Sequence, residues 1–136
     1  MCSSDLSVAD VASRCDVVIT SLPMPKIVEE VALGAGGIAA NAKPGTVYID
    51  LSTNSPATAR RVAEGMKAKG IEMLEAPVSG GTSRAKDGTI VIMVGGDTKT
   101  FEQQLPLLMP KQISTYDYMI NLKVPLDQAQ IGRAHV

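Results

Sequence analysis

Short apolar runs alternate along the chain with segments whose apolar residues recur every three or four positions. The apolar runs are typical of buried strands and lie at 16–20, 46–51, 71–78 and 89–94. The segments with helical spacing lie at 7–14 (the end of a helix), 25–33, 56–69 and 98–108. Strands separated by amphipathic helices are typical of βαβ units. The sequence therefore predicts an α/β fold with a doubly wound, mostly parallel sheet and helices on both of its faces.

Capping residues and prolines mark the boundaries of two predicted helices. Ser55 can cap a helix in which Pro56 takes the first position, because proline fits there without losing a needed hydrogen bond. Asp97 and Thr98 can cap the last predicted helix, which Pro106 interrupts before residue 108.

Three loops follow predicted strands at the edge where sheets of this class bind ligands. They contain Leu22–Pro23, Ser52–Thr53 and Ser79–Gly80–Gly81. Free N–H groups in a glycine turn can hold a carboxylate or phosphate, and hydroxyl groups add further donors. The same residues also fit a plainer interpretation, as two strand-to-helix connections and a turn between strands. The pattern leaves both interpretations open.

Other candidate residues give weaker evidence of a functional site. Asp50 and Glu75 lie in or at the ends of predicted strands and could be buried carboxylates, yet we expect neither to have a second carboxylate or a histidine beside it. The glycines at 34–37 follow a helix and precede no Lys-Ser/Thr pair, so they do not match a phosphate-binding P-loop. The sequence contains no G-x-G-x-x-G after a strand.

The amino-acid composition indicates which kinds of binding partner the protein is not suited to. The formal net charge is −1 and aromatic residues make up 3%, which does not favour binding to nucleic acid or to a membrane surface. No apolar run approaches the roughly 18 residues of a membrane-spanning helix, and the start does not resemble a targeting peptide. We expect a cytoplasmic protein, or a mitochondrial matrix protein in a eukaryote. Apart from Cys2 in the terminal segment 1–6, Cys15 has no partner thiol, so we expect no disulfide framework and no metal site.

Both ends of the chain look foreign to the rest. Residues 1–6 (MCSSDL) and 131–136 (IGRAHV) resemble translations of a short-read sequencing adapter, facing outward at each end. We therefore expect the chain to be a fragment of a longer reading frame, and we leave Cys2 and His135 out of any site.

A series of motifs occurs in order along the chain and resembles the β-hydroxyacid dehydrogenase family, which includes 3-hydroxyisobutyrate dehydrogenase and tartronate semialdehyde reductase. The motifs are DVVITSLP at 16–23, KPGTVYIDLST at 43–53, Ser55-Pro56 with Arg60, APVSGG at 76–81, Gly88-Thr89, IMVGGD at 92–97 and Phe101-Glu102. The resemblance implies that 7–109 is part of a Rossmann-like NAD(P)-binding domain and that 110–130 is a divergent tail.

The resemblance also implies an activity and roles for individual residues. Family members transfer hydride between NAD or NADP and the hydroxyl-bearing carbon of a small β-hydroxy acid, and intact members are homo-oligomers. The cofactor would lie against Leu22 and Pro23, and its nicotinamide part would contact Thr53. The substrate carboxylate would be held by Ser79, Gly80 and Gly81, with Ser52 as a supporting polar group.

Two parts of the family pattern have no match in the sequence. The Gly-rich dinucleotide turn of the family would lie upstream of Ser7, and no G-x-x-x-K-x-x-N-N pattern surrounds Lys111 or Lys123. We assign no catalytic residue and expect this chain alone to be inactive, because removing the hydroxyl proton needs a general base. Two alternatives stay open: a non-catalytic nucleotide- or carboxylate-binding module, and a fragment similar to 6-phosphogluconate dehydrogenase.

Overall fold

A parallel three-stranded sheet forms the centre of the molecule. The computed structural model describes residues 6–108 and the backbone of residues 119–120. The sheet contains β1 (Val17–Thr20), β2 (Val47–Asp50) and β3 (Glu72–Glu75), in the order β1-β2-β3. Thr20 pairs with Asp50 and Asp50 pairs with Glu75, so that all three strands end at the same level.

Helices cover both faces of this sheet, as the sequence predicts. They are α1 (Val8–Arg14), α2 (Pro25–Leu33), α3 (Ile38–Asn41), α4 (Pro56–Lys67), α5 (Gly81–Asp87) and α6 (Thr98–Leu108). On one face Tyr48 and Met73 pack against α1 to α4, and on the other Ile49 and Leu74 pack against Phe101 of α6. Neighbouring residues of β2 and β3 thus enter opposite cores, because successive strand side chains point to opposite faces.

The predicted caps are present in α4 and α6. The Ser55 side chain accepts a hydrogen bond from the Thr58 N–H (3.2 Å), and Pro56 occupies the first turn of α4. Asp97 accepts the Thr100 N–H at 2.9 Å at the start of α6. Pro106 lies inside α6 and does not end it. Its missing N–H costs one hydrogen bond close to the end of that helix.

The segment predicted as one strand over 71–78 is divided in two. It forms β3 and the two-residue strand β4 (Val78–Ser79), which pairs antiparallel with β5 (Val91–Val94). Pro77 lies between them, and it has no N–H to donate to a sheet. Its carbonyl accepts the Met93 N–H (3.0 Å), which helps to turn the chain toward β5.

The plainer interpretation of the residues after Ser79, a turn between strands, is wrong. Residues Gly81–Asp87 form α5, and every residue of that helix is exposed. A helix with no buried face has no apolar stripe, so hydrophobic periodicity could not reveal it. The helix ends at Gly88, whose φ of 70° is the left-handed conformation common after helices.

Two further helices differ from the sequence-based expectation. The segment 7–14 is a complete short helix, because Ser7 and Asp10 form a capping box at its start. The four-residue helix α3 was not predicted, since one helical turn is too short to show a period.

Most of the predicted tail at 110–130 lies outside the described residues. The exception is β6 (Met119–Ile120), which pairs parallel with β5. Among the helices that the structure describes, none has the length and apolar character needed to cross a membrane.

Candidate functional site

The loops after β1 and β2 are joined by a direct hydrogen bond. The Leu22 N–H donates to Ser52 Oγ at 2.8 Å. Ser52 is buried and Leu22 is half-buried, while Pro23 and Thr53, which follow them, are exposed. Four of the residues singled out in the sequence therefore lie together at the carboxyl edge of the parallel sheet.

Asp50 lies beneath these loops and accepts three hydrogen bonds. The donors are Thr20 Oγ1 (2.9 Å) and the Ser52 N–H (3.0 Å) to Oδ1, and Asn54 Nδ2 (2.6 Å) to Oδ2. The Asp50 side chain is fully buried. Three donors converging on one carboxyl group satisfy the negative charge that burial would otherwise disfavour.

Glu75 is the register partner of Asp50 on β3, so the expectation that neither carboxylate has a second one beside it is wrong. Burial, and after it the negative charge of Asp50, together raise the pKa of Glu75 to about 7. Glu75 Oε1 and Asn54 Oδ1 are buried and have no hydrogen-bond partner among the described residues. Asp50 and Glu75 thus form adjacent carboxyl groups with unequal surroundings.

Tyr48 extends the buried network below Asp50. Its hydroxyl lies 2.8 Å from Thr20 Oγ1, which itself donates to Asp50. Because the Thr20 hydroxyl has one proton and gives it to Asp50, Tyr48 donates to Thr20. Burial and the charge of Asp50 raise the pKa of Tyr48 far above its usual value.

Thr20, Tyr48 and Asn54 were not predicted from the sequence as members of the site. The signal that could have located Thr20 is its position as the last residue of β1, level with Asp50 at the end of β2. Parallel strands of equal length bring their final residues side by side. Asn54 carries no such signal, because a polar residue in a loop is ordinary.

The segment containing Ser79, Gly80 and Gly81 occupies a separate position. Ser79 is an exposed residue of β4, and Gly80 (φ 129°) and Gly81 (φ 65°) have conformations that favour glycine. A Cβ atom on Gly81 would meet nothing within 4 Å, so there is open space on that side of its backbone. Within residues 6–108, no hydrogen bond joins this segment to Leu22 or Ser52.

The connection between the two parts of the edge runs through β3. The Ala76 N–H donates to the carbonyl oxygen of Asp50 at 2.7 Å, and the chain then continues into β4. The structure therefore brings Leu22, Pro23, Ser52 and Thr53 together and places Ser79–Gly81 at the end of β4 and the start of α5. Within the described part of the chain, no group of three or more His, Cys, Asp or Glu side chains could hold a metal ion.

The chain matches the NAD-binding domain of 6-phosphogluconate dehydrogenase over residues 3–117. This is most of its length, and the chain belongs to this family. The resemblance to the β-hydroxyacid dehydrogenase family and the prediction of a Rossmann-like α/β fold are confirmed.

Several dehydrogenases are similar to the chain. It is 43% identical over 104 residues to 3-hydroxyisobutyrate dehydrogenase of Pseudomonas aeruginosa, covering 74% of this chain and 35% of that protein. It is 45% identical over 98 residues to 2-(hydroxymethyl)glutarate dehydrogenase of Eubacterium barkeri, covering 72% of this chain and 33% of that protein. The chain thus spans about a third of the length of these relatives.

A solved structure agrees with the fold. The 3-hydroxyisobutyrate dehydrogenase of Mycobacterium tuberculosis, described with L-serine, has a TM-score of 0.71 and 35% sequence identity. The match covers 82% of this chain and 36% of that one. The relatives are named as dehydrogenases of small hydroxy acids, so enzymatic activity is a property of the family.

Proposed function

We propose that this chain is the part of an NAD(P)-dependent β-hydroxyacid dehydrogenase that binds the nicotinamide cofactor beside the substrate. The hydrogen bond from the Leu22 N–H to Ser52 Oγ (2.8 Å) carries the proposal, because it joins the loops after two parallel strands into one edge. Ligands of doubly wound sheets bind at that edge.

The residues at this edge fit a nicotinamide cofactor. The exposed Pro23 and Thr53 offer an apolar surface and a hydroxyl group on either side of the joined loops, and Met24 is 52% exposed next to them. A nicotinamide ring has an apolar face and a polar carboxamide, so it needs both kinds of group. When bound, such a cofactor accepts or donates a hydride.

The substrate in this proposal is a small β-hydroxy acid of the 3-hydroxyisobutyrate or tartronate semialdehyde type. Ser79, Gly80 and Gly81 would hold its carboxylate, with Ser52 as a supporting polar group. The open backbone at Gly81 and the exposed Ser79 hydroxyl support this role, because a carboxylate needs accessible N–H and O–H donors. The intact enzyme would be a homo-oligomer in the cytoplasm or the mitochondrial matrix.

The chain alone is proposed to bind without turnover. Hydride transfer from an alcohol requires a base for the hydroxyl proton. Neither Lys111 nor Lys123 lies in the family's lysine motif, and both lie outside the described residues. Reduction of NAD or NADP by the chain in the presence of 3-hydroxyisobutyrate or L-serine would contradict this part of the proposal.

A fluorescence titration with NADH and NADPH tests the cofactor site. We expect weak, saturable binding of at least one of them, and a loss of affinity in the variant Thr53→Val, which keeps the side-chain shape and removes the hydroxyl. Thr46→Val is the matched control, since Thr46 precedes β2 and lies at the opposite end of that strand from Thr53. The absence of saturable binding, or equal affinity losses in both variants, would refute the assignment.

A further inference from the structure

Asp50 ties the ends of two neighbouring strands to a single side chain. Thr20, the last residue of β1, donates to Oδ1 at 2.9 Å. From the loop after β2, the Ser52 N–H donates to the same oxygen (3.0 Å) and Asn54 Nδ2 donates to Oδ2 (2.6 Å). The side chain is fully buried, so these donors are not replaced by water. The two loops thus share one anchor.

Ser52 connects Asp50 to Leu22. Its N–H is held by Asp50, and its hydroxyl oxygen accepts the Leu22 N–H at 2.8 Å. Two consecutive hydrogen bonds therefore connect Asp50 to the loop after β1. The position of Leu22 depends on Asp50 although the two residues share no hydrogen bond.

The arrangement needs a carboxyl group in particular. All three partners are donors, and an ionised carboxylate offers acceptors on both oxygens. An asparagine would have nearly the same shape, but its NH2 group would face a donor. A residue that only filled space would tolerate that change, whereas a residue that orients three donors would not.

We infer that Asp50 is a positioning residue, which holds Leu22, Ser52 and Thr53 in the relative places needed to receive the cofactor. The inference rests on the proposed function, because it concerns the same edge. Asp50 acts through Ser52 and Leu22 and not by touching the cofactor, since it is buried beneath them.

Amide hydrogen exchange, measured residue by residue on the full chain, tests the positioning directly. In Asp50→Asn we expect exchange at the Leu22 and Ser52 amides to become faster than in the wild-type chain. The central amides of β2 and β3 should change less, because local loosening precedes global opening. NADH affinity measured on the same sample should fall by about tenfold, as small misplacements of binding groups are costly. Thr46→Val is the matched control, since Thr46 is a buried polar residue just before β2.

The outcomes separate positioning from general stability. Uniform acceleration of all amides, or unchanged exchange at Leu22 and Ser52, would overturn the inference. A folded Asp50→Asn chain that binds NADH with the same affinity as the wild-type chain would also overturn it. If the wild-type chain binds neither NADH nor NADPH, the proposed function fails, and the exchange pattern alone then decides whether Asp50 positions the loops.

A milder variant covers the case in which Asp50→Asn does not fold. Thr20→Val removes one of the three donors to Asp50 and keeps the side-chain shape. We expect selective acceleration at Leu22 of severalfold, with the central sheet amides unchanged. Equal exchange at Leu22 in Thr20→Val and Thr46→Val would count against the inference.

Discussion

Asp50 and Glu75 show how two neighbouring carboxyl groups acquire different properties. Asp50 accepts three hydrogen bonds, whereas Glu75 Oε1 has no hydrogen-bond partner among the described residues. Hydrogen bonds favour the charged form of a carboxyl group, and burial without them favours the neutral form. Glu75, with its pKa raised to about 7, therefore changes charge near neutral pH.

This difference predicts a pH-dependent stability. The pKa of Glu75 is higher in the folded chain than its ordinary 4.5. The contribution of Glu75 to the stability of the folded chain is therefore present in full below pH 4.5 and is lost as pH rises through about 7. We expect Glu75→Gln to remove this dependence. Between pH 5 and pH 8, the free energy of unfolding of wild type should fall by about 2 to 3 kcal/mol relative to the variant.

Urea denaturation at several pH values measures this effect. Glu72→Gln is the control, because Glu72 is an exposed residue on the same strand. Parallel pH curves for wild type and Glu75→Gln would show that Glu75 has no shifted pKa in the folded chain.

At the scale of elements, the sequence predicted those helices and strands that have a local cause. Ser55-Pro56 and Asp97 mark the helix starts that the structure shows, and Ala59, Val62 and Met66, which lie on one face of α4, are buried. The exposed helix α5 was missed, because solvent on all sides leaves no hydrophobic period.

The candidate site was predictable to a similar extent. Leu22 and Ser52 could be placed at one edge, since both follow parallel strands. Their hydrogen bond, and the pairing of Asp50 with Glu75, depend on register across β1, β2 and β3. Strand register depends on residues far apart in the sequence, so no local pattern predicts it.

The cap of α4 gives a prediction at this scale. Ser55→Ala should lower the free energy of unfolding by about 1 kcal/mol, because the Thr58 N–H loses its partner at the start of the helix. Thermal or chemical denaturation measures the change. Ser83→Ala on the exposed helix α5 is the control and should have little effect. Equal stability of both variants would mean that the Ser55 cap does not stabilise α4.

At the scale of the whole molecule, the sheet has an apolar margin at β1. Within the described residues β1 pairs with β2 alone, and Ile19 is 46% exposed in its middle. Ile49 at the same register is fully buried by the packing around α6. An unpaired strand edge with an exposed apolar side chain favours association between chains.

We therefore expect the chain to self-associate as its concentration rises, and Ile19→Thr to weaken this association severalfold. Threonine keeps the strand preference and removes apolar surface. Sedimentation velocity over a range of concentrations measures the effect. Leu6→Thr, which alters an exposed apolar residue outside the sheet, is the control. Association that is insensitive to Ile19→Thr would place the contact elsewhere.

The central claim is that the joined loops after β1 and β2 receive a nicotinamide cofactor. A titration of the isotope-labelled chain with NADH and NADPH, followed by amide chemical shifts, tests it most directly. The account predicts saturable shifts at Leu22, Ser52 and Thr53, and further shifts at Ser79, Gly80 and Gly81 when 3-hydroxyisobutyrate is added. Saturable shifts confined to the outer surfaces of α2 and α4, or no saturable shifts with either cofactor, would contradict it.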